Sequence, residues 1–282
     1  MITIRRGSRG EEVKKLQQLL GLKADGIFGV QTETAVKQFQ LKHGLVADGI
    51  VGKNTWNKLL NMNKLEIENY FLKPGQYLEG NYKNEYIVLH HTASYDSHYQ
   101  VVSNWNSDSQ GRVATEFVVG GKNCITGRDI YDGKIIKTFP DGCQAYHLGT
   151  TGSSYMNIHS VGIEICNIGW LKNGKTYVNT TCQPDQICTL AKPFRGYTQY
   201  QKYTDKQLES IRQLLLFIAN RDNIDLHEGL YKCIKQKGAD AFEFNSDAYY
   251  GKVKGLLTHC SVRKDKSDCY PMPEMLDMIL SL

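Results

Sequence analysis

The apolar positions of the first 60 residues fall at helical spacing, in two copies of one unit. Val13, Leu16, Leu19 and Leu20 recur every three or four residues, the interval of one face of an α-helix. A 23-residue period then repeats the pattern, with Ala24-Asp-Gly-Ile27 returning as Ala47-Asp-Gly-Ile50. Val13, Leu16, Gln17, Gly21 and Leu22 map onto Val36, Phe39, Gln40, Gly44 and Leu45, and Gly29 and Thr32 map onto Gly52 and Thr55. Asp-Gly followed by a second glycine marks a tight turn, and turn chemistry alone accounts for Asp25-Gly26 and Asp48-Gly49. The pattern predicts a small all-α domain over 1–62. A polar stretch with Pro74-Gly75 reads as a linker over 63–80.

From Tyr86 the pattern changes to short apolar runs bounded by turns: Ile87–Leu89, Glu116–Val119, Ile135–Ile136 and Ser160–Ile163. These predict core strands. Thr204 and Gln207 form a capping-box pair ahead of Leu208, Ile211, Leu215 and Ile218, which continue at helical spacing. Strands mixed with helices predict an α/β domain over 81–282, with a central mixed sheet and flanking helices. The polar, tyrosine-rich stretches 170–203 and 222–250 read as irregular surface excursions without an assigned role.

Composition narrows the classes. A chain of 282 residues suits one small domain and one larger one, and 41% hydrophobic with 22% charged residues is globular. The longest apolar run, Leu214–Ala219, is far short of the roughly 20 residues of a membrane span, so no membrane insertion is expected. The net charge of +5 resides in residues 1–60, where ten Lys/Arg face five Asp/Glu. Such a module favours an anionic polymer, cell wall or nucleic acid. Interleaved aromatics and a helix-turn-helix pattern are missing, so nucleic acid is not the expected partner. No apolar leader opens the sequence, which predicts synthesis in a cytoplasm and eight reduced cysteines, one of them available to a metal.

The candidate chemistry lies in the second domain. Val88-Leu89-His90-His91-Thr92 ends an apolar strand in two histidines. Successive strand side chains point to opposite faces, so only one of them can reach a given metal. Either alone would read as a structural histidine. Leu256-Leu-Thr-His259 delivers another histidine, followed nine and ten residues later by Asp268 and Cys269. Catalytic zinc takes three protein ligands from His, Cys and Asp/Glu, and the separation of His90 from His259 excludes a local finger loop. The residues leave Asp268 and Cys269 both open as the third ligand. Glu164 lies on an apolar strand, where a carboxylate is costly unless paired or needed.

Two resemblances sharpen this reading. Gly7-Ser-Arg-Gly-Glu-Glu-Val13-x-x-Leu16-Gln17 with Asp-Gly-x-x-Gly-x-x-Thr twice resembles the peptidoglycan-binding domain found at one end of many wall hydrolases, over residues 3–60. This implies a three-helix fold with a shallow glycan or stem-peptide site. The order Ile87-Val-Leu-His-His-Thr92, Ala145-Tyr-His-Leu-Gly149, Ser160-Val-Gly-Ile-Glu164 and His259 with its downstream Asp or Cys resembles the zinc amidase superfamily of phage-type lysozymes, muropeptide amidases and peptidoglycan recognition proteins.

That second resemblance implies Zn2+ held by His90 and His259, with His91 structural. A Thr-x-Cys-Pro pattern in some members favours Cys269 as third ligand, while a lysine two residues before the ligand in others selects Asp268. It implies Glu164 as the catalytic base, since the tyrosine of other members is replaced here by Thr115. Lys266 would stabilise the oxyanion and His147 would line the substrate cleft. The implied reaction is hydrolysis of the amide between N-acetylmuramic acid and L-alanine. Expected with it are peptidoglycan as partner, a monomer, and an endolysin-like life, made in a host cytoplasm and acting at the wall. The alternative is a relative that only binds muropeptides.

Overall fold

Each copy of the 23-residue repeat folds around a buried glutamine. In this computed structural model, which describes residues 2–62, 65–109, 111–149 and 152–282, the first compact unit is Met1–Leu65. It holds helices α1 (Glu11–Leu19), α2 (Val30–Lys42) and α3 (Lys53–Met62). Gln17 donates its amide to Asp25 Oδ1 (2.7 Å), the Ile27 carbonyl and Thr32 Oγ1, and accepts from the Gly26 N–H (2.9 Å). Gln40 repeats the set with Asp48, Ile50, Thr55 and Gly49. The repeated dipeptide therefore does more than turn the chain: the aspartate receives the glutamine, and the glycine, at φ +75° in Gly26 and +76° in Gly49, frees its N–H to reach it. Val13, Leu16, Phe28, Val36, Val51, Trp56 and Leu59 pack the core above these pins.

Gln40→Leu keeps the volume but strands the buried Gly49 N–H and takes one bond each from the half-buried Ile50 carbonyl, the buried Thr55 and the exposed Asp48. Each unsatisfied group costs about 1–3 kcal/mol, so a loss of about 2–3 kcal/mol is expected, or roughly 10–20 °C in the melting of a unit this small. Calorimetry of the full chain checks this, with the exposed Gln38→Leu as a control that leaves the transition in place.

The second unit, Glu66–Leu280, runs β1 (Ile67–Asn69), β2 (Tyr86–His91), α4 (His98–Ser107), β3 (Phe117–Val119), β4 (Ile135–Lys137), α5 (Ser154–Ile158), β5 (Ser160–Ile165), β6 (Trp170–Leu171), β7 (Ile187–Phe194), β8 (Tyr197–Gln201), α6 (Asp205–Asp222), α7 (Leu230–Lys237), α8 (Ser246–Tyr249), β9 (Gly255–Thr258), α9 (His259–Val262) and α10 (Pro273–Leu280). Six strands form a mixed sheet in the order β1-β4-β3-β5-β2-β9. β2 lies parallel between β5 and β9, and β4 runs antiparallel to β3. All six β2 positions are buried, as a strand covered on both faces requires. Thr204 caps α6 with both capping-box bonds made, and Leu208, Ile211, Leu214, Leu215 and Ile218 are its buried stripe.

Two expectations are corrected. The linker read over 63–80 is part of the sheet domain: residues 63 and 64 lie outside the described residues, but Ile67–Asn69 pairs with β4, Leu72 is buried, and Leu78 exchanges backbone bonds with Gln144. The excursions are also ordered. Residues 170–201 form a three-stranded antiparallel sheet, β6-β8-β7, and 230–249 hold α7 and α8 around buried Leu230, Ile234, Phe242 and Ala248. Tyrosine misled the reading because it can be a core residue when its hydroxyl finds a partner: Tyr200 is fully buried and donates to the Phe194 carbonyl at 2.6 Å.

Candidate metal centre

Register places the two histidines side by side. Leu89 pairs with Thr258 across β2 and β9, so His90, one residue on, lies next to His259 at the start of α9. Their Nδ1 atoms face each other at 3.0 Å. Asp268, returning on the loop after α9, brings Oδ2 to 3.0 Å from His259 Nδ1 and 3.5 Å from His90 Nδ1. The three ligand atoms lie within 4.8 Å of one another. Ligand atoms on a tetrahedron of Zn–N/O bonds of 2.0–2.1 Å would be about 3.3 Å apart, so the observed spacing fits that ion.

The donor set also has the right electrons. Burial, then the neighbouring His259, lowers the His90 pKa to about 4, against the pull of Asp268. Burial opposes ionisation of Asp268, but His259 and His90 outweigh it and hold the carboxyl well below its usual range. Two ring nitrogens and a carboxylate oxygen converging on one point repel unless a proton or cation lies among them.

A relay behind His90 sets its tautomer. Ser160 Oγ donates its only proton to the Met156 carbonyl, so it must accept from His147 Nε2 (2.7 Å). His147 Nδ1 is then the bare nitrogen and accepts from His90 Nε2 (2.9 Å), which leaves His90 Nδ1 to present its lone pair to the centre. Burial, then the charges of His90 and His259, hold the His147 pKa well below normal. His147 is thus corrected: it is buried behind the centre and orients His90, where a cleft-lining role was expected.

The Ser160-Val-Gly-Ile-Glu164 stretch follows from strand alternation. Ser160, Gly162 and Glu164 share the His90 face, and Glu164 is the direct cross-strand neighbour of His90. A Cβ on Gly162 would come within 2.9 Å of the His147 ring and 2.8 Å of Thr115, so glycine makes the room for His147. Burial and the Asp268 charge push the Glu164 pKa well up, and Lys266 partly offsets them. Lys266 is half-buried on the Asp268 loop, and its charge is felt at both Glu164 and His90.

Cys269, expected as third ligand, does not join the cluster. Its sulfur lies 3.0 Å from the Tyr203 hydroxyl, which is 3.1 Å from His91 Nδ1. Asp268 turns to His90 and His259, and Cys269 turns to Tyr203 on the side of His91. Burial, with the Asp268 charge, pushes the thiol up to about 12 against the Tyr203 hydrogen bond, so it is not a ready thiolate. Tyr200, Tyr270 and Tyr203 stack beside it, with ring centroids 4.2 and 4.8 Å apart. Sequence reasoning missed Ser160, Gly162 and Tyr203, of which only the first two left a signal, the period-2 pattern ending at Glu164.

A family model described as N-acetylmuramoyl-L-alanine amidase matches residues 80–269. The chain belongs to that amidase family. A second model, described as a putative peptidoglycan binding domain, matches residues 9–59 of the amidase. No curated protein matches it. Among solved structures, the SleB N-terminal domain is 39% identical over 22% of this chain and 94% of its own, with a TM-score of 0.22. A peptidoglycan-binding protein from Clostridioides difficile is 46% identical over 21% of this chain and 40% of its own, with a TM-score of 0.20. The N-acetylmuramoyl-L-alanine amidase LysC from Clostridium intestinale is 15% identical over 77% of the amidase and 95% of its own length, with a TM-score of 0.43. Among the described residues no helix is long and apolar enough to cross a membrane.

Proposed function

We propose that this amidase is a zinc hydrolase that cuts the bond between the lactyl group of N-acetylmuramic acid and L-alanine, with His90, His259 and Asp268 as metal ligands and wall lysis as its biological effect. The observation that carries the reading is the convergence of these three donors beside Glu164. A bound zinc ion would polarise the scissile carbonyl and lower the pKa of a water toward ~7. Glu164, on the same sheet face, takes the proton of the attacking water and returns it to the departing L-alanine amine. Its raised pKa suits both steps, because it gives the proton back as readily as it takes it. Lys266 places a cation where negative charge develops on the carbonyl oxygen. His147 and Ser160 hold the His90 ring so that its lone pair does not need to find its direction at each turnover. A protein that only binds muropeptides would need neither the converging donors nor the adjacent carboxylate.

Mass spectrometry of digested sacculi tests this. Free L-alanine amino termini should appear, vanish after chelation and return with added zinc. New reducing sugar ends without new amino termini would sink the reading.

A further inference from the structure

The small sheet β6-β8-β7, to which the hydrolytic steps give no task, carries a turn that breaks a local rule. Phe194 of β7 pairs with Tyr197 of β8, so Arg195 and Gly196 are the two central residues of a hairpin turn, at φ +49° and +85°. A two-residue turn with positive φ at both places takes Asn-Gly by preference, because a Cβ crowds the backbone there. This chain puts an arginine in the first place. Backbone strain of this kind persists where the surroundings fix it, and it gathers at functional sites. The Arg195 side chain is only 20% exposed, and its Nη2 lies 3.3 Å from the Glu243 carboxylate. The guanidinium donates to the Lys264 carbonyl at 3.2 Å and to the Cys260 carbonyl at 3.4 Å.

Both carbonyls belong to the segment that closes the metal centre. Cys260 is buried and follows His259 directly. Its N–H donates to the Asp268 carbonyl at 3.1 Å and its thiol to the Lys266 carbonyl at 3.2 Å. Arg195 takes the remaining polar group of Cys260 and, through Lys264, the outgoing limb of the same loop. His259 and Asp268, nine residues apart in sequence, are thus drawn together around Cys260 and held from outside by one side chain. We propose that Arg195 is a positioning residue of the metal centre, holding the loop of Asp268 and Lys266 against the His259 turn before the ion arrives, an inference that rests on the zinc reading above. A donor set ordered in advance loses less loop freedom on binding, which raises affinity. The planar fork of arginine can span two carbonyls, and the point charge of a lysine cannot.

The test uses the full-length protein and two readouts apart from turnover: zinc affinity by competition with a chelator, and amide hydrogen exchange of the zinc-free protein. Arg195→Met should weaken zinc roughly tenfold, at the low end of what loss of an outer partner costs, and should speed exchange over 260–268 while β2 and α6 keep their protection. Arg195→Lys, which keeps the cation beside Glu243 and one of the two bonds, should recover part of the affinity. Lys192→Met is the control: Lys192 ties the same strand to Asp240 at 2.8 Å, far from the loop carbonyls, and its loss should leave both readouts in place. Zinc bound as tightly by Arg195→Met as by the wild type overturns the proposal. So does an equal loss in Lys192→Met, or faster exchange across β2 and α6 as well, since either would make Arg195 a general support of the fold. A wild-type protein that binds no zinc is a different failure: it sinks the metal reading itself and this inference with it.

Discussion

Asp268→Ala is expected to release zinc and abolish wall cleavage, while Cys269→Ala keeps both. Among the described residues Asp268 is the one carboxylate within reach of both histidine nitrogens, at 3.0 and 3.5 Å, and its loss leaves two ligands where catalytic zinc takes three. Affinity should therefore fall by more than the roughly 10–100-fold that loss of an outer-shell partner costs. Cys269→Ala removes the Tyr203–Cys269 contact and costs about 1 kcal/mol of stability, with no change in metal content. Competition with a chromogenic chelator measures zinc directly in both variants, apart from turnover. The reverse result, zinc lost with Cys269 and kept without Asp268, would overturn the assignment.

Glu164→Gln is expected to lower kcat roughly 10²–10⁴-fold while zinc content stays whole, because the amide keeps the size of the carboxylate and loses its basicity. The pH profile carries a second signature. A base must be ionised, so activity rises with pH through the Glu164 pKa. Burial and Asp268 push that pKa up, and Lys266 draws it down. Lys266→Met therefore moves the acid limb of the kcat profile to higher pH, and Glu164→Gln removes that limb. A Glu164→Gln enzyme of unchanged kcat would place the proton transfer elsewhere.

The residues of this centre were unequally readable in the sequence, for physical reasons. His90 could be chosen over His91 as soon as a strand was recognised, because alternation is a local property, and the structure sends them to opposite faces. Asp268 and Cys269 lie in the loop between α9 and α10, where no periodic pattern tells which of two neighbours faces His90, and the thiol's affinity for zinc pointed to Cys269. His147 looked like a cleft residue because its role depends on Ser160, which becomes its partner only once β5 is laid against β2. β1 was read as linker because three residues containing Glu68 and Asn69 carry no apolar pattern. The glutamine pins at Gln17 and Gln40 were visible as repeated letters, and their meaning required the turn to close over them.

Strand β5 gives three alternate positions on one face three different tasks: Ser160 anchors the relay, Gly162 clears its path and Glu164 sets a carboxylate beside His90. All three depend on one count of residues. A single amino acid gained or lost within this strand would turn anchor, gap and carboxylate together into the opposite layer of the domain. The segment can vary among apolar letters at Val161 and Ile163 on its other buried face, but its length is as tightly constrained as its chemistry.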